Sequence, residues 1–372
     1  MYLIAEIGSS HGGSIESATR LLDEIAAAGF DCAKFQWIIA DEILHPATGA
    51  VHLPGGTVAL YDRFRALERD PSFYEDLKRL CDERNIDFLC TVFGPRSLEM
   101  LLHLNVEAVK IASPELNYTG LLNLAAGAAT PLYVSTGVST LSDIAEAAEL
   151  LEQAANVTFL HCVTSYPAPE TDYNLNVLDP LSKVTGRPWG VSDHTTDPLA
   201  IPLVSTALGA PALEKHVTLS QDGKGLDDPI ALSPKDFRLM VSEVRAFTGA
   251  EVPDTVGTTS PDQSRKLRVV EEKLGAERVA SIRGTGVKRL AAAELENYGR
   301  TNRSLHARTR VPEGTTIEPE MVCVVRSERR LTPGLHPRYR DLVIGAAARR
   351  TIDAGEGIHW SALIESTPVS DP

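Results

Sequence analysis

Over the first 250 residues, short runs rich in β-branched and aromatic residues alternate with helical patterns: "YLIAEIG", then "SIESATRLLDEIAAAGF", then "DCAKFQ". The alternation returns in "YEDLKRLCDERN" before "DFLCTVF" and continues through "AVKIAS", "PLYVSTG", "VTFLHCV", "PWGVSDHT" and "ALEKHV", which makes eight strand candidates. A helix between two strands is a crossover, so the sheet is expected to be parallel. Eight such units predict an α/β chain closed into a (β/α)8 TIM barrel, with its site at the C-terminal strand ends. An open doubly wound sheet is disfavoured, because "GSSHGG" follows the first strand where a GxGxxG turn would be needed.

At 372 residues the chain exceeds a single core, and it divides into a barrel over 1–250, a linker with helix over 251–300 and a small β-rich domain over 301–372. The linker reading rests on "GAEVPDTVGTTSPDQSRK" and the charged stretch after it. In the last part, "RSLHARTRVPEGTTIEPEMVCVV" and "VIGAAARRTIDAGEGIHWSAL" look like two halves, each a strand beside a "PEGTTI" or "AGEGI" turn. A net charge of −14 opposes nucleic acid and anionic lipid, so neither is expected as a partner, although a local basic pocket for a small anion is allowed. No apolar run approaches the roughly 20 residues of a membrane span. The five scattered cysteines contain no CxxC pair, and "MYLIAEIG" lacks the pattern of a signal peptide, so a cytoplasmic protein with reduced thiols is expected.

Two of the apolar runs end in imidazoles. Side chains alternate along a strand, so Ser192 and His194 share one face of "GVSDHT" while Asp193 takes the other, and Glu214 and His216 share a face of "LEKHV". If those faces meet at the barrel mouth, His194 and His216 suit a divalent transition metal, with Asp227 in "GLDDP" as a nearby carboxylate. Lys34 in "CAKFQ" and Lys110 in "VKIAS" would extend ammonium groups into an apolar setting, which calls for an anion such as phosphate or carboxylate. Thr91, Ser113, Ser135 and Ser192 fall at strand ends where they can donate to the same anion, though such residues also cap helices. Glu6 and Glu115 complete the polar ring, either as proton-handling groups or as counter-charges to the lysines, and His161 reads as a supporting core histidine.

The segments "IAEIGSSHGGSIESA", "AKFQ", "VKIASPE", "YVSTGVSTLSDI", "LHCVTSYPAP", "GVSDHT", "ALGAPALEKHVTL" and "NRSLHA" resemble, in order, the sialic acid synthase family. The resemblance implies a (β/α)8 barrel joined to a small domain similar to type III antifreeze proteins, the SAF or β-clip fold. It implies condensation of phosphoenolpyruvate with the open-chain aldehyde of an N-acylated amino sugar such as N-acetylmannosamine, giving a nine-carbon 2-keto acid and phosphate. Position by position, His194 and His216 are similar to the family's ligands for manganese or magnesium, and Lys34, Thr91, Lys110, Ser113, Ser135 and Ser192 to its phosphoenolpyruvate set. Gln36, Glu115, Tyr166 and Asp227 match positions near the sugar and metal, and Glu6 the carboxylate beside the reacting aldehyde. Arg326 falls where the family takes an arginine from the other subunit, so the resemblance implies a domain-swapped homodimer.

The chain departs from the family's pattern at Ser10, Val92, Pro114, Thr164 and Leu226, and "RSERRLTPG" replaces a shorter turn. These changes are expected around the acceptor, so an aldose other than N-acetylmannosamine is expected. The residues alone also leave open a metal-dependent aldolase or isomerase of sugar phosphates, and an inactive barrel acting as a binding subunit.

Overall fold

The structure, a computed structural model, describes residues 1–53, 56–223, 225–248 and 261–363. Its strands are β1 (Tyr2–Glu6), β2 (Cys32–Gln36), an outlying hairpin of β3 (Ala50–Leu53) and β4 (Gly56–Ala59), then β5 (Asp87–Val92), β6 (Ala108–Ile111), β7 (Leu132–Ser135), β8 (Val157–Cys162), β9 (Trp189–Asp193) and β10 (Ala212–His216). Eight of them close into a barrel in the order β1, β10, β9, β8, β7, β6, β5, β2. Every pairing around it is parallel, as the crossovers require. The expected TIM barrel is therefore the observed fold.

The first helix shows how the sequence builds this unit. Ser14 accepts from the backbone of Ser17 at the start of Ile15–Ala28, and Gly29 ends it at φ 88°, a left-handed cap that glycine adopts without a side-chain clash. Between them Ala18, Leu21, Leu22 and Ile25 recur at helical spacing and are buried, so this face packs against the sheet. Gly190 marks a tight point of the wall: a Cβ there would lie 2.5 Å from the carbonyl oxygen of Ala212 on the neighbouring strand.

Residues 249–260 of the expected linker and 364–372 of the expected small domain lie outside the described residues. The helices Pro261–Leu274 and Ala276–Arg283 pack on the barrel helix Ala200–Ala207. Arg278 fastens them, pairing with Glu170 at 2.6 Å and Asp197 at 2.7 Å. After the segment 284–302 the chain forms β11 (Arg303–Ala307) and β12 (Val322–Arg326), an antiparallel pair over a separate core of Leu305, Val311, Ile317, Ile352 and Ile358. The second half of this domain contributes isolated bridges, Val311 to Ile352 and Thr316 to Ala347, where a strand was expected. Its "DAGEG" turn interrupts the run before a ladder can extend.

Candidate active site

Strand register carries the polar residues to one level. Glu6 on β1 lies opposite His216 on β10 and Lys34 on β2. Gln36 lies opposite Thr91, Thr91 opposite Lys110, and Ser192 opposite both Glu214 and Cys162. Alternation then directs these side chains into a cavity of about 250 Å³ at the C-terminal strand ends. Among the residues expected from sequence, Glu6, Lys34, Gln36, Thr91, Lys110, Ser113, Ser135, Tyr166, Ser192, His194, His216, Asp227 and Arg326 all line it. Glu115 does not: it is fully buried behind the wall, where both of its donors are arginines of the small domain.

On one side of the cavity two cations share a carboxylate. Lys34 contacts Glu6 at 2.8 Å and Glu214 at 3.6 Å and donates to Thr91 at 3.1 Å, while Lys110 lies 3.9 Å from Glu214 and donates to Ser135 at 2.7 Å. Ser192 donates to the same carboxylate at 3.0 Å, yet Glu214 Oε2 has no hydrogen-bond partner. Burial acts against charge on both lysines; Glu214 and Glu6 outweigh it at Lys34 and raise its pKa, whereas Lys110 is left lowered. Burial would raise Glu214, but Lys34 and Lys110 hold it below its usual value, and burial raises Glu6 despite Lys34. Gln36 fixes the other oxygen of Glu6 at 2.6 Å.

Across the cavity, the rings of His194 and His216 lie 5.3 Å apart between centroids, with Tyr166 stacked on His194 at 4.3 Å. His194 Nδ1 bonds to the carbonyl of Val163 at 2.8 Å, which leaves Nε2 for a ligand, and Asp227 sits 3.8 Å from His216 Nδ1. Burial opposes charge on His194, but the Cys162 sulfur 3.7 Å away draws it up to about 9, while burial and then His194 push His216 well down. Two imidazoles with an oxygen donor close by fit a divalent first-row ion whose remaining positions go to water or substrate. Among the described residues no group of three or more His, Cys, Asp and Glu is arranged to hold an ion by itself.

Behind these rings the alternate face is equally ordered. Asp193 and Lys215 form a fully buried pair at 2.5 Å, and Lys215 also donates to the carbonyl of Thr195 at 2.6 Å. Each member is adjacent in sequence to one of the two histidines.

Arg326 lines the cavity at its rim. Arg326 reaches Glu115 of its own chain at 2.7 Å and lies over the Phe93 ring at 5.6 Å. The segment before β11 packs on the barrel: Asn302 donates to the carbonyl of Val138 at 3.0 Å, and Leu44 bridges to Arg326. Arg303 completes the join, fully buried, donating to Glu115 at 2.7 Å, to the carbonyl of Phe93 at 2.9 Å and to that of Glu42.

The departures from the family's pattern divide. Pro114, Thr164 and Leu226 line the cavity, but Val92 is a core residue, and Ser10 does not line the cavity and donates to Asp228 at 2.5 Å. His161 is a core histidine held by the carbonyl of Tyr173 at 2.6 Å. Sequence reasoning missed Cys162, Glu214 and Arg303 as site components. Glu214 carried a usable signal, since it shares a strand face with His216.

The comparisons with known proteins bear on this geometry. A model described as the NeuB family matches residues 21–252, and one described as the SAF domain matches 302–364. The chain belongs to the NeuB family. With that goes its enzyme type, a transferase of the sialic acid synthase kind. Over 98% of its length and 94% of that protein's, it is 31% identical to the spore coat polysaccharide biosynthesis protein SpsE of Bacillus subtilis, whose crystal structure superposes with a TM-score of 0.80 over 98% of this chain and 96% of that one. It is 30% identical to the N,N'-diacetyllegionaminic acid synthase of Campylobacter jejuni, over 74% of this chain and 84% of that protein. The human N-acetylneuraminate-9-phosphate synthase is 28% identical over 87% of this chain and 82% of its own. Among the described residues no helix is long and apolar enough to cross a membrane.

Proposed function

We propose that this enzyme condenses phosphoenolpyruvate with the open-chain aldehyde of an N-acylated amino sugar or related aldose, forming a nonulosonic 2-keto acid and inorganic phosphate. The observation that carries the reading is the pairing of Lys34 with Thr91 and of Lys110 with Ser135, with Ser192 beside them on Glu214, on one side of a cavity whose other side holds two imidazoles. Two buried ammonium groups with hydroxyl donors between them match a phosphate and an adjacent carboxylate. The names of the relatives, synthases of legionaminic and neuraminic acids, support the product class.

His194 and His216 would hold a divalent manganese or magnesium ion, which when bound supplies Lewis acidity toward the aldehyde oxygen. The chain's own groups do the rest. Lys34 and Lys110 hold the phosphate while carbon 3 of phosphoenolpyruvate bonds to the aldehyde carbon, whose oxygen takes up a proton. Water adds to carbon 2, and Glu6, whose pKa burial raises, accepts its proton. Phosphate then leaves carbon 2 with the bonding pair as the carbon 2 hydroxyl gives up its proton and the 2-keto group forms; of water's two protons, one ends on the former aldehyde oxygen and one on phosphate. Arg326, Pro114, Thr164 and Leu226 surround the acceptor end, so an aldose other than N-acetylmannosamine is the expected acceptor.

The test is release of phosphate from phosphoenolpyruvate with manganese, across N-acetylmannosamine, its di-N-acetylated bacterial relatives and simple aldoses, beside a His216→Ala control. Sugar-dependent release that the control lacks is the expected result. Release with no sugar in the panel, while the protein still binds manganese, would overturn the reading.

A further inference from the structure

Glu294 lies outside both the barrel strands and the small domain's sheet, yet only 1% of its surface is exposed. Its Oε1 accepts from the backbone N–H of Val138 at 2.7 Å and from that of Thr164 at 2.7 Å, and its Oε2 from Ala291 at 3.2 Å. Val138 and Thr164 belong to different loops, those after β7 and β8. A single carboxylate oxygen thus ties together two loops at the cavity.

What it ties is a strained turn. Val138 is fully buried at φ 44°, in the left-handed region where a β-branched side chain crowds its own backbone. Gly137 beside it donates to Ser113 Oγ at 2.9 Å, and a Cβ on Gly137 would lie 2.0 Å from Thr164 Oγ1. Ser113, Ser135 and Thr164, whose hydroxyls face the cavity, are all set by the shape of this turn. Asn302 holds the carbonyl of Val138 from the opposite side at 3.0 Å.

We infer that Glu294 is a positioning residue: it holds the Val138 turn in its strained conformation and so places Ser113, Ser135 and Thr164 for substrate. The effect on substrate rests on the function proposed above, whereas the effect on the turn does not. Because Glu294 and Asn302 lie on the segment that leads into β11, seating of the small domain and shaping of the cavity are one event.

Amide hydrogen exchange of the intact protein tests the turn without any substrate. Removing a buried acceptor from two N–H groups in Glu294→Ala should speed exchange in 135–139 and 163–166 by at least about tenfold. Glu294→Gln, which keeps an acceptor oxygen, should restore most of the protection. In kinetics, Glu294→Ala should raise KM for phosphoenolpyruvate by about tenfold with a smaller fall in kcat. Val138→Gly supplies the decisive second variant, since glycine adopts this φ freely. In the Val138→Gly background the Glu294→Ala effect on exchange should shrink to less than about threefold. Unchanged exchange in Glu294→Ala, or full additivity of the two substitutions, would overturn the inference. Should the wild type release no phosphate from phosphoenolpyruvate, the function fails alone and the exchange result still decides the role of Glu294.

Discussion

Arg326, on β12 of the small domain, donates through Nη2 to Oε1 of Glu115 on the barrel at 2.7 Å, and both belong to one chain. The same oxygen accepts from Arg303 at 2.7 Å, so Glu115 stays paired when Arg326 is removed. Arg326→Ala should therefore fold normally and raise KM for the acceptor by about 10- to 100-fold, the worth of one charge-assisted contact. Specific activity that holds on dilution into the nanomolar range would mean that the arginine comes from its own chain. A fall on dilution would mean that the arginine is supplied by a second subunit.

Lys110 separates function from stability. It is buried with a lowered pKa, and its neighbour Glu214 keeps Lys34 at 3.6 Å and Ser192 at 3.0 Å. Lys110→Met should lower kcat/KM for phosphoenolpyruvate by about a thousandfold and leave the thermal midpoint unchanged or higher. Parallel kinetics and thermal melts check both halves, and a lower midpoint with normal kinetics would sink the assignment.

The Asp193–Lys215 pair gives the opposite result. Neither member reaches the cavity, and removing one partner of a fully buried pair typically costs about 3–5 kcal/mol. Lys215→Met should lower the unfolding free energy from urea titration by that amount, and Asp193→Leu added to it should recover most of the loss. Equal loss in the single and double variants would show that the pair is not the source.

Metal binding should be visible without turnover. At a manganese concentration about a hundred times Kd the wild type should gain about 2.7 kcal/mol of stability. His216→Ala should lose most of that gain, and chelation should reverse it in the wild type. A gain that survives in His216→Ala would place the ion elsewhere.

Stability should fall in mild acid through histidines that stay neutral. Burial lowers His11 and His306 to about 4, below the unfolded value of about 6.5. Between these values the unfolded chain binds more protons, so stability rises with pH there and is lost as pH falls from about 6.5 toward 4. His306 bonds to the carbonyl of Gly355 at 2.9 Å and faces the hydroxyls of Ser304 and Ser327. His306→Asn should flatten the acid slope by at most about 3 kcal/mol over that window. Denaturant melts at pH 4.5 and 7 measure it, and an unchanged slope would exclude His306.

The barrel was legible because its signal is local: each strand and helix carries its own periodicity, and eight repeats leave few closures. Thirteen of the fourteen expected site residues line the cavity: alternation along a strand decides the face taken by Glu6, Lys34, Thr91, Lys110, Ser192 and His216, whereas Gln36, Tyr166 and Arg326 were legible only through the family resemblance. Glu115 escaped this reasoning because it follows the strand end in a short turn, where alternation no longer applies. Arg303 and Glu294 were invisible because they depend on contacts between distant segments, such as Asn302 with Val138, that no periodicity encodes. Cys162 looked like one more core thiol until the Val163 carbonyl turned His194 toward it.

β1 lies between β2 and β10 in the barrel, so the wall is sealed by the first and last of its strands. Glu6 therefore meets Lys34 early in synthesis but His216 only after the whole barrel has left the ribosome. No shorter nascent chain can bring the carboxylate and the imidazole together. The enzyme thus cannot begin to act on its substrates before its main domain has been made in full.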